Sequence, residues 1–256
     1  MRFYIDSKAY NMREEKADSF LLMVNATNQS MMLNGSTMKL FRETDAWVDL
    51  DAFVDSLGFK AVYHQSLWND YATALYRLHV HGVSRLEDWP VSTESGTRMG
   101  RTADYHDLSV FCRKHKDAPF SVAEKLDDGY YGFYNIYDML LRSDAAIVFA
   151  RQEGNIVACM LMQLSKRSFG GLVMNVETVM FRGDLTEDQC KESLSDMLLV
   201  AQKHFRGKAV KMRYEAIHAR QERLAGWLLE NGFYRSAVLP EELSSGQTLV
   251  LYDFIL

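Results

Sequence analysis

The stretch AAIVFARQEGNIVACMLMQL (residues 145–164) contains two apolar, β-favouring runs with a short polar turn between them. Residues 145–150 and 156–164 form the runs, and Glu153-Gly154-Asn155 is a sequence that tight hairpin turns favour. A third run, residues 172–182, follows after a second glycine-containing turn and alternates between apolar and other side chains. The sequence therefore predicts an antiparallel meander of three strands.

Periodic helices and further strands surround this meander. Thr186, with Gln189 three residues later, has the pattern of a capping box at a helix start. The other predicted elements are a strand at residues 98–102, helices at 104–115, 135–142 and 221–230, and strands at 209–216, 233–239 and 248–255. The predicted order is strand, two helices, three strands, helix, strand, helix and two strands.

That order, with WLLENGF (residues 227–233) near its end, resembles the GNAT acyltransferase superfamily over residues 98–256. The resemblance implies an α/β (α+β) fold whose mixed, mainly antiparallel central sheet is flanked by helices. In that family two central strands splay apart, and the pantetheine arm of coenzyme A inserts between them like another strand. The matching strands here are residues 172–182 and 209–216.

Residues 1–82 resemble an incomplete first copy of the same pattern. An ungapped offset of 174 residues places Gly58-Phe59 on Gly232-Phe233. The same offset predicts a helix at residues 13–28 and a closing strand at residues 74–80. The arrangement is similar to that of the putative β-lysine N-acetyltransferases, which begin with a half-domain of this kind.

The chain is therefore expected to hold two domains and a connection. The expected parts are a half-GNAT-like domain over residues 1–82, a linker over residues 83–97 and a GNAT-like domain over residues 98–256. The linker contains Pro90, small polar residues and little periodicity, as connecting segments do.

The resemblance implies an N-acyltransferase that moves an acyl group from acetyl-CoA, or another acyl-CoA, to the amine of a small molecule. Glu177 lies in the strand where the family often places its general base, and its carboxylate could deprotonate an incoming ammonium group. The alternatives are that Glu177 is solvated, or that it pairs with Arg213 or Lys211 on the neighbouring strand.

The family's proton donor to the departing thiolate is a tyrosine, and its position corresponds to Leu228 here. A leucine has no proton to give, so Tyr214, Tyr234 or His218 could replace that tyrosine; the alternative is protonation by solvent or a weakly placed acid, as in many members of the family. For His218 the alternative is an ordinary surface histidine near a helix start.

The same resemblance indicates which residues would hold coenzyme A. The backbone N–H groups of Val179 and Met180 would bind the thioester carbonyl if their strand carries the family's bulge. The other expected cofactor contacts lie at the end of that strand, just after it or before the Gly-Phe pair, and they are Phe181, Arg182, Gly183, Thr186 and Trp227.

The family's diphosphate loop is absent, because Leu185, Asp188 and Cys190 occupy its three defining positions. Glycines there allow backbone N–H groups to close around phosphate at a helix N-terminus. Glu187 and Asp188 instead place negative charge at that helix start, and this charge repels a diphosphate. The second hypothesis is thus a noncatalytic GNAT-fold binding or assembly module, which a filled slot between the splayed strands would favour.

The densest aromatic cluster is YYGFYNIY (residues 130–137). Tyr130, Tyr131 and Tyr134 could form an acceptor pocket that binds an amine through cation–π contacts. The alternative is that the cluster belongs to the core, because Phe133 and Tyr137 share a helical face.

Composition limits the class of protein. The net charge is −5 with no basic cluster, which argues against a nucleic acid partner. No apolar run is long enough for a membrane span, and no signal-peptide pattern begins the chain, so a cytoplasmic location is expected. Cys112, Cys159 and Cys190 lack metal-ligand spacing, and no metal site is expected. A homodimer is compatible with the sequence, because halves of a repeat can pair across two chains.

Overall fold

The computed structural model describes residues 1–88, 95–123, 129–167, 171–217, 219–240 and 247–256. The chain divides into two compact units, Met1–Val91 and Ser92–Leu256.

The first unit contains two three-stranded antiparallel sheets. One sheet has the order β5-β1-β6 and the other the order β2-β3-β4. The strands are β1 (Arg2–Ile5), β2 (Tyr10–Lys16), β3 (Ser19–Val24), β4 (Ser30–Asn34), β5 (Trp47–Asp49) and β6 (Ser84–Glu87). The helices are α1 (Leu50–Ser56) and α2 (His64–Val80), with short 3-10 helices at Thr37–Arg42 and Ala61–Tyr63.

The helix predicted at residues 13–28 is wrong, because that segment forms β2 and β3. Asp18 adopts a positive φ of 59° between the two strands, a conformation that ends regular structure. Leu22 and Val24 are buried and the residue between them is exposed, which is the period of a strand with one face in the core.

The strand predicted at residues 74–80 is also wrong, because these residues belong to α2. Its buried residues recur at helical spacing, and they are Tyr71, Ala72, Leu75, Tyr76 and Leu78. The element order of the first unit therefore does not repeat that of the second at these two places.

Strands lie at both ends of the segment predicted to be a linker. Within residues 83–97, β6 pairs with β1 through Ser84–Glu87, so this part of the segment belongs to the first unit. Gly96 begins β7 (Gly96–Met99), and residues 89–94 lie outside the described residues.

The second unit is built on one seven-stranded sheet with the order β12-β13-β11-β10-β9-β8-β7. Its further strands are β8 (Ala145–Gln152), β9 (Asn155–Arg167), β10 (Gly171–Phe181), β11 (Lys211–Ala216), β12 (Tyr234–Leu239) and β13 (Leu249–Ile255). Among the described strands of this sheet, only the pairing of β10 with β11 is parallel. A mixed, mainly antiparallel sheet flanked by helices was predicted, and it is confirmed.

Helices cover both faces of this sheet. They are α3 (Tyr105–His115), α4 (Phe133–Leu141), α5 (Glu187–Phe205) and α6 (Ala219–Glu230). Met160 and Val179 belong to a core cluster shared with α5 and α6. Cys159, the neighbour of Met160, contacts Cys112 of α3 instead, at 3.6 Å between the sulfur atoms. The alternating residues of β9 thus fill two different layers of core.

The hairpin predicted from residues 145–164 is confirmed. Glu153 and Gly154 have φ angles of 49° and 79°, as a two-residue turn between twisted strands requires. The capping box at Thr186 is also confirmed, because Thr186 Oγ1 accepts from the Gln189 N–H and Gln189 Oε1 accepts from the Thr186 N–H. No helix among the described residues is long and apolar enough to cross a membrane.

An ion pair whose arginine is buried joins the end of β8 to α3. Arg151 Nη2 lies 2.8 Å from Asp107 Oδ2, and Arg151 Nη1 donates to the carbonyl of Gly154. The Arg151 side chain is only 4% exposed, whereas Arg142, which forms a two-bonded pair with Asp144, is 40% exposed. The two pairs therefore have similar chemistry in different surroundings.

We predict that Arg151→Met lowers the free energy of unfolding by about 1–2 kcal/mol. This loss is expected because the change removes the hydrogen bonds of a buried guanidinium to Asp107 and Gly154 and its charge from beside the buried Asp104. The matched change Arg142→Met should have little effect, because an exposed pair is screened by water. Urea unfolding of both variants measures the difference. Equal losses of stability would contradict this interpretation of the buried arginine.

Candidate functional site

The candidate site lies on β10, at the point where its pairing with β11 ends and the segment around Val122 pairs with it instead. The register of β10 with β9 passes from Val176↔Met162 to Thr178↔Leu161, so Glu177 is the extra residue of a β-bulge. The parallel pairing of β10 with β11 ends at Val176↔Tyr214. Beyond the bulge, the edge of β10 that faced β11 needs other hydrogen-bond partners.

The chain itself supplies those partners through a segment that we call the plug, Pro119-Phe120-Ser121-Val122. The Val179 N–H donates to the Val122 carbonyl at 2.9 Å, and the Val122 N–H donates to the Val179 carbonyl at 2.8 Å. Two residues further along β10, the Phe181 N–H donates to Ser121 Oγ at 3.0 Å. The slot beside β10 is therefore filled by a short antiparallel segment.

Aromatic rings hold the plug from the side of α6. The ring of Phe120 lies 5.9 Å from that of Trp227, which in turn lies 6.0 Å from Phe181. The guanidinium of Arg223 lies 5.5 Å from the centre of the Phe120 ring. A cavity of about 200 Å³ remains between the plug and α6, lined by the plug with Arg223, Leu224 and Trp227.

Side chains occupy two of the backbone N–H groups at the start of α5, those of Thr186 and Gln189. Thr186 and Gln189 form the capping box, and so occupy N–H groups that an anion would use. Leu185 and Cys190 are buried, and both belong to the core cluster. Glu187 lies in the first turn of the helix. Two of the residues in place of the diphosphate loop are thus part of the hydrophobic core.

The loop between β10 and α5 is fixed by local bonds. Arg182 forms an ion pair with Asp184, and the Gly183 N–H donates to His115 Nδ1 at 3.3 Å. Burial lowers the pKa of His115, Lys114 and Arg182 lower it further, and Asp184 partly opposes them. The neutral imidazole is the form that can accept the Gly183 N–H.

A second cavity, the Glu177 pocket, has a volume of about 320 Å³. Tyr130 donates its hydroxyl to Glu177 Oε2 at 3.4 Å within it. Its polar lining consists of Tyr130, Asn135, Asp138, Arg142, Gln163 and Glu177, and its apolar lining of Met139, Ala145, Leu161 and Met162. Arg142 is held by Asp144 through bonds of 2.8 Å, so its charge is largely neutralised there.

The three predicted acceptor tyrosines have different surroundings. Tyr130 lines the Glu177 pocket. Tyr131 is fully buried, its hydroxyl lies 3.5 Å from Thr178 Oγ1, and burial raises its pKa. Tyr134 is 44% exposed and does not line that pocket. The structure therefore brings Tyr130 together with Glu177 but not the other two.

The residues predicted to protonate the thiolate are not found beside Glu177 in the described part of the chain. Tyr214 is buried in the core cluster shared with α5 and α6, and its hydroxyl has no hydrogen-bond partner among the described residues. Burial raises the pKa of Tyr214. Leu228 is also in the core, Tyr234 lies on the outermost strand β12, and His218 is outside the described residues.

Arg213 and Lys211 do not pair with Glu177, so that alternative is wrong. Both cations bind Asp253 of β13, with Arg213 donating through Nε and Nη2. Although burial alone would raise the pKa of Asp253, these hydrogen bonds lower it to about 2.

Sequence reasoning missed the plug. Residues 119–122 follow a helix and include a proline, and nothing in their pattern shows that they pair with a strand about 60 positions later. The sequence offered only an indirect indication of a filled slot. The glycines of a diphosphate loop are absent, so one part of a coenzyme A site is missing.

No protein-family model matches the chain, and no curated protein is similar to it in sequence. Among solved structures, an N-acetyltransferase from Staphylococcus aureus Mu50 has a TM-score of 0.48 and 6% identity, covering 63% of this chain and 97% of that one. A GNAT-family acetyltransferase from Streptococcus pneumoniae has a TM-score of 0.48 and 12% identity, with coverages of 64% and 100%. The ribosomal-protein-S5-alanine acetyltransferase from Vibrio fischeri has a TM-score of 0.46 and 14% identity, with coverages of 62% and 91%.

The His115–Gly183 bond predicts a pH effect on stability. In the unfolded chain a histidine gains its proton near pH 6.5, whereas burial lowers the folded pKa of His115. Between these two pKa values the unfolded state binds more protons, so the free energy of unfolding decreases as pH falls through this window. We expect His115→Asn, whose Oδ1 can still accept the N–H, to show a shallower decrease.

Urea unfolding of both proteins between about pH 7.5 and pH 5.5 measures the two slopes. Burial also lowers the pKa values of His81 and His204, but these residues are present in both proteins and contribute equally. Identical slopes would show that His115 does not contribute.

Proposed function

We propose that the second unit is a binding module for a small amine, with a slot for an acyl donor that its own chain has closed. One observation carries the proposal: the reciprocal hydrogen bonds between Val122 and Val179 use the backbone edge on which pantetheine would lie. The amine is assigned to the Glu177 pocket, which lies on the other side of the bulge from the filled slot.

Displacing the plug would be unfavourable. A pantetheine arm would have to break two backbone bonds at Val179 and the bond from the Phe181 N–H to Ser121. It would also have to separate Phe120 from Trp227. Each buried polar group left without a partner costs about 1–3 kcal/mol, so every one of these contacts that the ligand fails to replace weakens its binding.

The helix start adds a second obstacle for coenzyme A. A diphosphate binds helix N-termini through N–H groups that are not otherwise bonded. Here the capping box uses such groups, and Glu187 contributes negative charge to the first turn. The Glu187 carboxylate interacts favourably with the dipole of α5 and so stabilises the helix. The same negative charge repels an anion at this helix start.

The Glu177 pocket favours a cation. Glu177 and Asp138 contribute two carboxylates to the lining. Arg142 of the same lining contributes a guanidinium that is bonded to Asp144 at 2.8 Å and lies 3.8 Å from Asp138. Tyr130 adds an aromatic ring beside these carboxylates, and apolar side chains from β8 and β9 complete the walls. An ammonium group on a short alkyl chain fits this combination of charge and lining.

The bulge favours a second candidate, the N-acyltransferase that uses acetyl-CoA. Glu177 lies at the bulge and could take a proton from an ammonium group, after which the amine nitrogen would attack the thioester carbonyl carbon and expel the thiolate. This reaction requires the plug to leave the slot. It also requires a proton donor for the thiolate, and the buried Tyr214 hydroxyl is separated from Glu177 by the sheet.

Acetyl-CoA tests the closed slot. We expect no binding in calorimetric titrations of the full chain up to about 1 mM, and no rise in its unfolding temperature. Desulfo-coenzyme A, which lacks the thiol but keeps the diphosphate, should behave in the same way. Micromolar binding of either ligand would contradict the closed slot and favour the acyltransferase, which release of free thiol in the presence of an amine would then establish.

Cadaverine tests the Glu177 pocket. We expect saturable binding that Glu177→Gln weakens on the order of tenfold, because a neutral amide replaces a charged acceptor. Glu192→Gln changes an exposed glutamate of α5 in the same way and should bind like the unaltered protein. If all three proteins bind equally, or none binds, the pocket does not recognise an amine.

A further inference from the structure

A groove in the first unit combines apolar and cationic side chains on one short helix. Its volume is about 740 Å³, within the usual range for small-molecule sites. The groove lies between the β2–β3 hairpin and the 3-10 helix Thr37–Arg42, and it is lined by Met12, Asp18, Asn34, Gly35, Ser36, Met38, Lys39, Phe41 and Arg42.

The helix type arranges these side chains in two rows. A 3-10 helix has three residues per turn, so residues three apart project from the same side. Lys39 and Arg42 therefore form a cationic row, and Met38 and Phe41 form an apolar row beside it. The Phe41 ring is held against β2 by an edge contact with Tyr10, at 5.0 Å between ring centres.

The cationic row has no acidic partner among the described residues. Lys39 lies 5.3 Å from the centre of the Phe59 ring, a contact that leaves its charge in place. Like charges one turn apart repel each other, and an anion between them would remove that repulsion. Asp18 is the one acidic residue in the lining, so the groove is locally positive on a chain of net charge −5.

Asp18 also limits the groove on the side of the hairpin. The Gly35 N–H donates to the Asp18 carbonyl at 3.0 Å, and a Cβ on Gly35 would lie only 2.7 Å from Asp18 Oδ1. The carboxylate of Asp18 is thus packed against the Gly35 backbone. An anionic ligand would point its charge away from this end and toward the cationic row.

We infer that this groove binds a small amphiphilic carboxylate, with its carboxylate on Lys39 and Arg42 and its apolar body on Met12, Met38 and Phe41. Arginine presents paired N–H groups that match a carboxylate, which distinguishes this ligand from a neutral molecule of the same shape. The inference concerns the first unit and does not depend on the amine site proposed for the second.

The test compares two ligands of nearly equal shape, 1-naphthaleneacetate and its neutral amide, 1-naphthaleneacetamide. Both are titrated into the full chain by calorimetry, and backbone NMR shifts locate the site. We expect saturable binding of the acid with shifts in residues 34–42, and on the order of tenfold weaker binding of the amide.

Variants of single cations complete the test. Arg42→Gln and Lys39→Gln should each weaken binding of the acid on the order of tenfold, because each removes one charged donor. Arg13→Gln is the matched control, since Arg13 is exposed, pairs with Glu15 and does not line the groove. Three outcomes would each overturn the inference: no saturable binding, equal binding of acid and amide, or equal effects of Arg13→Gln and Arg42→Gln.

Discussion

The second unit depends on how the edge of β10 is satisfied after its parallel pairing with β11 ends at Val176. Backbone N–H and carbonyl groups in the interior of a protein must be hydrogen-bonded, because water is not available to them. Val122 satisfies both groups of Val179, and Ser121 satisfies the N–H of Phe181. Strands β10 and β11 can therefore separate while these backbone groups of β10 stay hydrogen-bonded to the chain itself.

The start of α5 follows the same logic. In an anion-binding loop, the first N–H groups of the helix stay available because glycines leave room for the ligand. Here the capping box bonds the N–H groups of Thr186 and Gln189 internally, and Leu185 and Cys190 belong to the hydrophobic core. Two separate sets of donor groups, along the strand and at the helix, are thus used by the chain itself. The proposal of a closed slot is therefore supported at two separate places, along β10 and at the start of α5.

The sequence predicted the second unit well because its elements are encoded locally. The Glu153-Gly154 turn and the Thr186 capping box each depend on residues a few positions apart, and both are present. The sequence alone could not predict the bulge at Glu177, because a bulge depends on how β9 and β10 align. The roles expected of the Val179 and Met180 N–H groups were therefore conditional on its presence. The plug could not be predicted, since the partner of Val122 is 57 positions away in the chain.

In the first unit, the offset alignment led to wrong secondary-structure predictions that the local residue pattern did not support. The offset that matched two Gly-Phe pairs predicted a helix across Asp18, although the buried residues that follow recur with the period of a strand. It also predicted a strand at residues 74–80, where Leu75 and Leu78 recur with the period of a helix. In both places the burial pattern within the segment was the better guide, because periodicity reflects which face reaches the core.

Local charge, and not net charge, decides what each cavity can bind. The net charge of −5 argues against a polyanion that contacts a broad surface, because such binding needs many cations together. It does not exclude the small anion proposed for the groove of the first unit, where two cations lie on one helical turn. Likewise, acidic residues elsewhere do not make the Glu177 pocket selective for an amine. The relevant charges are the carboxylates of Glu177 and Asp138 and the guanidinium of Arg142, which is bonded to Asp144 at 2.8 Å and lies 3.8 Å from Asp138.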